Sequence, residues 1–291
     1  MSVAPCDAPE GQAPPETIDA HQHFWRYHPA EYPWMSEEQA ALKRDHLPTD
    51  LAPLMRAAGV TGTVAVQARR MLRETEWLLE LAVAEPTVLG VVGWFDFSSP
   101  RLEHDLERLA PEPRLVGARE LIHDMPDLDY AVSPGHVRGV KAVQRAGLAY
   151  DLLLRPEHLR PATALVDLLP DQRFVIDHLA KPRVADGAFE PWASDLRAIA
   201  ARDNVYCKLS GLVTEADWVD WRADDLLPYL EVALEAFGAE RVMLGSDWPV
   251  CTCAADYSTT IDLARRSLAG LSAAERAAVL AGTARRFYRL V

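Results

Sequence analysis

Short apolar or β-branched runs alternate with longer amphipathic segments from about residue 17 to the end of the sequence. A strand that is buried on both faces is apolar almost throughout, whereas a helix that covers a sheet is apolar every three to four positions. The alternation is therefore typical of a parallel sheet with crossover helices. The predicted strands span residues 17–25, 62–67, 89–96, 115–120, 149–154, 173–179, 204–210 and 241–249.

The amphipathic segments between these runs predict helices. In the first of them Leu51, Leu54 and Met55 share one face, and Gly59 follows as a stop signal. The predicted helices span residues 49–58, 73–85, 100–109, 135–146, 156–169, 191–202, 226–237, 257–268 and 273–288. Eight strands with helices between them fit a closed barrel better than an open sheet of about five or six strands. We predict a (β/α)8 TIM barrel over residues 17–291, preceded by a flexible N-terminal arm, residues 1–16, rich in Pro, Ala and Glu.

Composition narrows the class of protein. The chain of 291 residues is 49% hydrophobic and 25% charged, which is typical of a globular protein that lies within the size range of one barrel. A net charge of -13 without any Lys/Arg-rich run argues against nucleic acid or an anionic membrane as a partner. No Gly-rich phosphate fingerprint follows a strand, so we expect no nucleotide cofactor. The sequence leaves the oligomeric state open.

Four scattered cysteines, no apolar run of membrane-spanning length and no signal-peptide pattern lead us to expect a cytoplasmic enzyme. The pair Cys251 and Cys253 lacks the usual metal-binding spacing, and we interpret it as a loop with two thiols.

Candidate chemistry lies at the carboxyl ends of the predicted strands, where barrels of this kind place their active sites. His21 and His23 are two positions apart on the first strand and therefore point to the same side. The sixth strand ends in His178 and the eighth in Asp247. Because neighbouring strand residues face opposite ways, Asp177 is expected to face outward. Gln67, Arg119 and Lys208 also fall at or near strand ends.

Four motifs, in chain order, carry a family resemblance that covers nearly the whole chain from about residue 17. They are IDAHQHFW at 18–25, VIDHLAKP at 175–182, KLSGL at 208–212 and LGSDWP at 244–249. Together they resemble the amidohydrolase superfamily, and within it the predicted metal-dependent hydrolases that include sugar-acid lactonases. The resemblance implies a lactonase with L-fucono-1,5-lactone, or a related L-rhamnono- or L-galactono-lactone, as substrate, in keeping with L-fucose catabolism.

The resemblance also implies roles. His21, His23 and His178 would polarise the carbonyl, and Asp247 would act as the catalytic acid and base. Apart from the resemblance, a second group of side chains would contact the sugar through polar atoms or ring stacking, although packing explains each of them about as well: Gln67, Arg119, His123, Lys208, Trp25, Trp34 and Trp248.

One departure from the family pattern concerns the metal. Two-metal amidohydrolases typically carry a carboxylated lysine or a bridging carboxylate on the fourth or fifth strand, with a further histidine nearby. Here the fourth strand offers Arg119 and Glu120 and the fifth offers Asp151, without a lysine. We therefore predict no binuclear centre. A single zinc held by His21, His23, His178 and Asp247 and a metal-independent site remain as alternatives.

Two other functions are compatible with the same residues. One is a metal-dependent decarboxylase or C–C hydrolase that acts on an unsaturated acid. The other is a sugar-acid binding protein without catalytic activity, which the retained histidines and Asp247 disfavour. Neither the preferred sugar nor the lactone ring size follows from the sequence, because both depend on loop contacts to individual hydroxyl groups.

Overall fold

The computed structural model describes residues 16–291, in which eight parallel strands form one sheet in sequential order. The ends of the first and last strands also meet: His23 N donates to Trp248 O at 2.7 Å and Asp247 N donates to His21 O at 2.8 Å. These bonds close the sheet into the predicted (β/α)8 barrel, which is confirmed. The strands are β1 (Ile18–Gln22), β2 (Gly62–Val66), β3 (Val88–Gly93), β4 (Leu115–Glu120), β5 (Ala149–Leu152), β6 (Phe174–Ile176), β7 (Val205–Leu209) and β8 (Val242–Leu244).

A helix follows each strand, and the helix bounds lie close to the predicted ones. Gly59 ends the first helix with a φ of +65°, a conformation that glycine adopts without steric cost. The helices are α1 (Pro48–Ala58), α2 (Leu72–Ala84), α3 (Leu102–Leu109), α4 (Pro134–Arg145), α5 (Leu159–Leu168), α6 (Trp192–Ala200), α7 (Ala223–Phe237), α8 (Tyr257–Ser267), α9 (Ala273–Ala277) and α10 (Thr283–Tyr288). The last predicted helix, 273–288, is interrupted by a π-helical turn at Ala278–Gly282 between α9 and α10.

Strand alternation divides the apolar core into two layers. On β8, Val242 and Leu244 pack outward against the helices, while Met243 packs inside the barrel with Val64 and Val175. The C-terminal helical segment contributes Ala281, Ala284, Phe287 and Tyr288 to the same inner cluster. The lower end of the barrel is therefore filled by apolar side chains, and open space for ligands is left to the upper end.

Residues 1–15 of the predicted N-terminal arm lie outside the described residues. Glu16 accepts a hydrogen bond from Arg285 Nε at 2.9 Å. Within residues 16–291, none of the helices combines the length and the apolar character needed to cross a membrane.

Candidate active site

The two histidines of β1 meet above the barrel. The register between β1 and β2 shifts between Asp19 and Gln22, a span that contains His21, so strict alternation breaks at this point of the strand. The rings of His21 and His23 lie edge to face with centroids 5.0 Å apart. His21 is fully buried and His23 nearly so. Both imidazoles therefore face the upper barrel interior, as the spacing of two predicts.

The structure corrects the prediction for Asp177. Strand β6 ends at Ile176, three residues before the predicted end, and Val175 on it faces the barrel interior. Alternation from Val175 places Asp177 inside as well, where it is fully buried. The prediction that Asp177 faces outward was wrong because it assumed that His178 still lay on the strand.

His178 reaches the same side through the turn that follows. Four consecutive residues from His178 to Lys181 have φ between 51° and 58°, the left-handed region that non-glycine residues rarely occupy. The turn brings the His178 ring to 4.3 Å from that of His21, measured between centroids. Gly211 makes room beside it, since a Cβ there would lie 2.4 Å from His178 Nδ1. Such strain is typical of functional sites.

Asp247 follows β8 and completes the group. Its Oδ1 lies 3.2 Å from His23 Nε2 and 3.8 Å from the Nε2 atoms of both His21 and His178. Its backbone also has a positive φ, 59°. The turn is fixed by Asp19, which accepts hydrogen bonds from Ser246 N at 2.8 Å and Ser246 Oγ at 2.6 Å. The structure thus brings together the three imidazoles and one carboxylate that the sequence predicts.

Hydrogen bonds assign a ring proton of His23 and orient the ring of His178. His23 Nδ1 lies 2.8 Å from the carbonyl oxygen of Val66, which only accepts, so Nδ1 carries the proton. In the neutral ring, the Nε2 atom that faces the carboxylate of Asp247 at 3.2 Å then carries a lone pair. His178 Nδ1 pairs with Ser210 Oγ at 2.9 Å, which leaves its Nε2 directed toward Asp247.

Ionisation follows from burial and from these neighbours. Burial lowers the pKa of His21 and of His178 well below the ordinary value, so both rings are neutral near pH 7. Burial raises the pKa of Asp247, but His178 and His23 outweigh it and bring the pKa below the usual value. The site therefore presents an ionised carboxylate beside the neutral rings of His21 and His178, an arrangement that suits a general base.

Below the imidazoles lies a buried charge network. Lys208 Nζ pairs with Asp151 Oδ2 at 2.5 Å and with Asp177 Oδ1 at 2.9 Å. Arg119 donates to Asp177 Oδ2 at 2.8 Å, and Tyr288 donates to Asp151 Oδ2 at 2.7 Å from below. Two cations and two carboxylates balance, as buried charges require.

A pocket of about 300 Å³ opens above Asp247. Of the predicted substrate contacts, Arg119, His123 and Trp34 line it together with His23, His178 and Asp247. Burial lowers the pKa of His123 to about 2, so that ring is neutral. Trp34 is 38% exposed, which leaves its ring accessible to a bound molecule.

The other four predicted contacts are buried elsewhere. Lys208 is enclosed in the charge network, and the Gln67 amide donates to Arg119 O at 3.4 Å. Trp25 donates from its indole to Arg44 O at 3.0 Å, and Trp248 packs on Phe24 and His46. None of the four is among the residues that line the pocket in the described part of the chain.

Sequence reasoning missed further residues of this site. Arg155 and Lys181 line the pocket, and Ser210 and Gly211 adjoin His178. Ser210 and Gly211 stand within the quoted KLSGL motif, directly after β7, and this position was the available signal. Arg155 follows the end of β5 by three residues. The rule that active sites lie beyond the strand ends would have selected all three.

The donor set fits a divalent metal ion. Ligand atoms of His21, His23 and Asp247 lie within 4.8 Å of one another, as do those of His21, Asp177 and His178. In the first group a neutral His23 ring turns a lone pair toward an ionised carboxylate, and a cation between them would stabilise this arrangement. In the second, Lys208 and Arg119 already neutralise Asp177. The residues therefore fit one metal ion rather than two.

Comparison with known proteins agrees with this geometry. The chain is 43% identical to an L-fucono-1,5-lactonase of Burkholderia multivorans over 94% of this chain and 96% of the relative. It is 38% identical to an L-fucono-1,5-lactonase of Burkholderia ambifaria over 94% and 95% of the two chains.

Solved structures of an amidohydrolase from Burkholderia multivorans have the same fold. One with bound HEPES gives a TM-score of 0.91 at 41% identity, and one with bound zinc gives 0.90 at 42% identity. Each covers 95% of this chain and 100% of the solved chain. A family model described as amidohydrolase matches residues 18–290, and the chain belongs to the amidohydrolase family.

Proposed function

We propose that this protein hydrolyses a sugar-acid lactone to the free aldonic acid, with L-fucono-1,5-lactone as the first substrate to test. The observation that carries the proposal is the ionised Asp247 carboxylate, set among three imidazoles on the floor of the pocket. The two Burkholderia relatives are named L-fucono-1,5-lactonases and match nearly the full chain.

Asp247 acts first as a general base. It takes a proton from water while the water oxygen attacks the lactone carbonyl carbon, and a tetrahedral oxyanion forms. The same carboxyl group then returns the proton to the ring oxygen as the C–O bond breaks. The ring opens to the aldonic acid, which releases one proton near neutral pH. Water is consumed and no other reactant is needed.

Stabilisation of the oxyanion falls to donors that line the pocket. Arg119 is 98% buried yet reaches the pocket, so its charge acts with little screening by water. His178 can donate from Nε2 when Ser210 donates to its Nδ1. Trp34 and His123 would position the sugar ring.

A metal ion would be held by His23, His178 and Asp247 with His21. When bound, it would supply Lewis-acid polarisation of the lactone carbonyl. We propose zinc as its identity, because one structural neighbour was solved with bound zinc. Treatment with a chelator separates metal-dependent from metal-independent hydrolysis. The cytoplasmic location expected from the sequence stays a prediction.

The test is proton release from a panel of L-sugar 1,4- and 1,5-lactones, measured with a pH indicator before and after treatment with a chelator. Acidification with L-fucono-1,5-lactone above the spontaneous rate is the expected result. If no lactone in the panel is opened by either preparation, the proposal fails. An unsaturated carboxylic acid that loses CO2 in a parallel assay would support the decarboxylase instead.

A further inference from the structure

The buried network beneath the pocket contacts the ring of His21 from two sides. His21 Nδ1 lies 3.2 Å from Asp177 Oδ1 and 3.2 Å from Lys208 Nζ. His21 Nε2 lies 3.4 Å from Arg119 and 3.8 Å from Asp247 Oδ1. A neutral imidazole donates from one nitrogen and accepts at the other, so these four neighbours determine where the proton resides.

The proton fits better on Nδ1. There it reaches Asp177 Oδ1 at 3.2 Å, the oxygen that also pairs with Lys208 Nζ at 2.9 Å and has capacity to accept from both. Nε2 is then free to accept from Arg119. With the proton on Nε2 instead, the nearest acceptor would be Asp247 Oδ1 at 3.8 Å, beyond hydrogen-bonding distance, and the N–H would face the guanidinium of Arg119.

Lys208 and Arg119 keep Asp177 a pure acceptor. Lys208 lies 2.9 Å from one oxygen of Asp177 and Arg119 lies 2.8 Å from the other. A carboxylate that is flanked by two cations remains ionised and has no proton to donate. Lys208 directs its closest contact, 2.5 Å, toward Asp151 and therefore does not need the lone pair of His21.

We infer that Asp177 is a positioning residue, which accepts the Nδ1 proton of His21 and thereby turns the Nε2 lone pair toward Asp247 and the pocket. A carboxylate that orients a histidine in this way fixes both the tautomer and the angle of the ring. The lone pair is the feature that His21 must present either to Arg119 or to a metal ion. The predicted effect of Asp177 on turnover rests on the proposed lactonase function, whereas its effect on the tautomer does not.

Asp151 provides a matched control. It is as deeply buried as Asp177 and shares Lys208 with it, but no contact with His21 is found in the described part of the chain. Asp177→Asn and Asp151→Asn each remove one negative charge from the same network. If Asp177 only balanced charge, Asp177→Asn and Asp151→Asn would have equal effects.

The experiment measures the ring nitrogens of His21 by ¹⁵N NMR in chelator-treated, histidine-labelled protein, with the signal assigned through His21→Asn. We expect a protonated Nδ1 and a bare Nε2 in the wild type and in Asp151→Asn, and a change of these shifts in Asp177→Asn. For turnover we expect Asp177→Asn to lower kcat by about 10 to 100-fold with little change in KM, and Asp151→Asn to stay within about 3-fold.

Three results would overturn the inference: a proton on Nε2 of His21 in the wild type, unchanged shifts in Asp177→Asn, or an equal loss of kcat in both variants. If Asp177→Asn does not fold, the wild-type spectrum alone tests the inference. A wild type with the expected tautomer but without lactone hydrolysis would reject the proposed function and leave the positioning role intact.

Discussion

The two halves of the barrel interior are built on opposite principles. The lower half is filled by apolar side chains, among them Met243 and Val175, and by Phe287 from the C-terminal helix. The upper half holds Asp177 and Lys208 with their partners, all buried, beneath the imidazoles and Asp247. Apolar packing stabilises a fold without constraining its chemistry, whereas buried ion pairs seldom improve on apolar packing. The difference indicates that stability comes from the lower half and chemistry from the upper half.

The largest expected effect is on chemistry alone and comes from Asp247→Asn. The amide keeps the shape of the side chain but cannot take a proton from water, so kcat should fall by about 10³ to 10⁴-fold. The midpoint of thermal unfolding should change little. Lactone hydrolysis and a melting curve on the same preparation provide the measurement.

Asp256→Asn is the matched control for Asp247. Asp256 caps helix α8 through a hydrogen bond from Thr259 N at 2.7 Å and lies on the surface. Asparagine caps a helix nearly as well as aspartate, so both activity and stability should be retained. Activity that survives in Asp247→Asn would remove the acid–base role from this residue.

Phe287→Ala should have the converse effect, because the ring of Phe287 lies in the lower half. The Phe287 ring is 1% exposed and packs against Tyr206 and Tyr288 with centroids 4.7 and 4.8 Å away. Its truncation should lower the free energy of unfolding by about 3 to 5 kcal/mol. Denaturant titration measures the loss, and kcat below the new transition should stay within about 3-fold. A large loss of kcat with intact stability would contradict the division of roles.

Gly211→Ala tests how tightly the upper half is packed. A Cβ at this position would lie 2.4 Å from His178 Nδ1 and 3.1 Å from Asp247 Oδ2, and the backbone φ is +63°. Displacement of these two groups by a few tenths of an ångström or more should lower kcat by about 10 to 100-fold. Gly147→Ala is the control, since its φ is +76° and nothing lies within 4 Å of the added Cβ.

Both glycine variants should lose about 1 kcal/mol of stability from the left-handed backbone, and only Gly211→Ala should lose activity. Equal activity in the two variants would show that the space beside His178 is not needed. Steady-state kinetics and denaturant titration on the pair separate the two contributions.

The two halves also differ in how far the sequence predicts them. Periodicity predicts the strand count and the convergence of His21, His23 and Asp247, because alternation and the closing of a barrel are local and repetitive rules. It does not predict the left-handed turn from His178 to Lys181, where tertiary contacts impose a conformation that the residue types disfavour. Asp177 was misplaced for that reason. Pairing across the interior, such as Tyr288 with Asp151, joins residues 137 positions apart and leaves no local pattern.

A buried histidine outside both halves should affect stability alone. His136 on α4 hydrogen-bonds to Ala131 O at 2.8 Å and to the Tyr150 hydroxyl at 2.7 Å. Burial lowers its pKa to about 4. A base whose pKa is depressed on folding contributes stability that is present above the unfolded pKa, near 6.5, and is lost as the pH falls toward 4. From pH 7 to pH 5 this group should therefore lower the free energy of unfolding by about 2 kcal/mol.

His136→Gln removes the titrating group and keeps one donor and one acceptor for the same two partners. Denaturant titrations at pH 7 and pH 5 should show a smaller decrease in the variant than in the wild type, by about 2 kcal/mol, while activity at pH 7 stays within about 2-fold. Because His136 lies outside the barrel interior, its titration should affect stability without any change in the apparent pKa of kcat. Equal decreases in the two proteins would mean that the buried imidazole takes up its proton without cost to the fold.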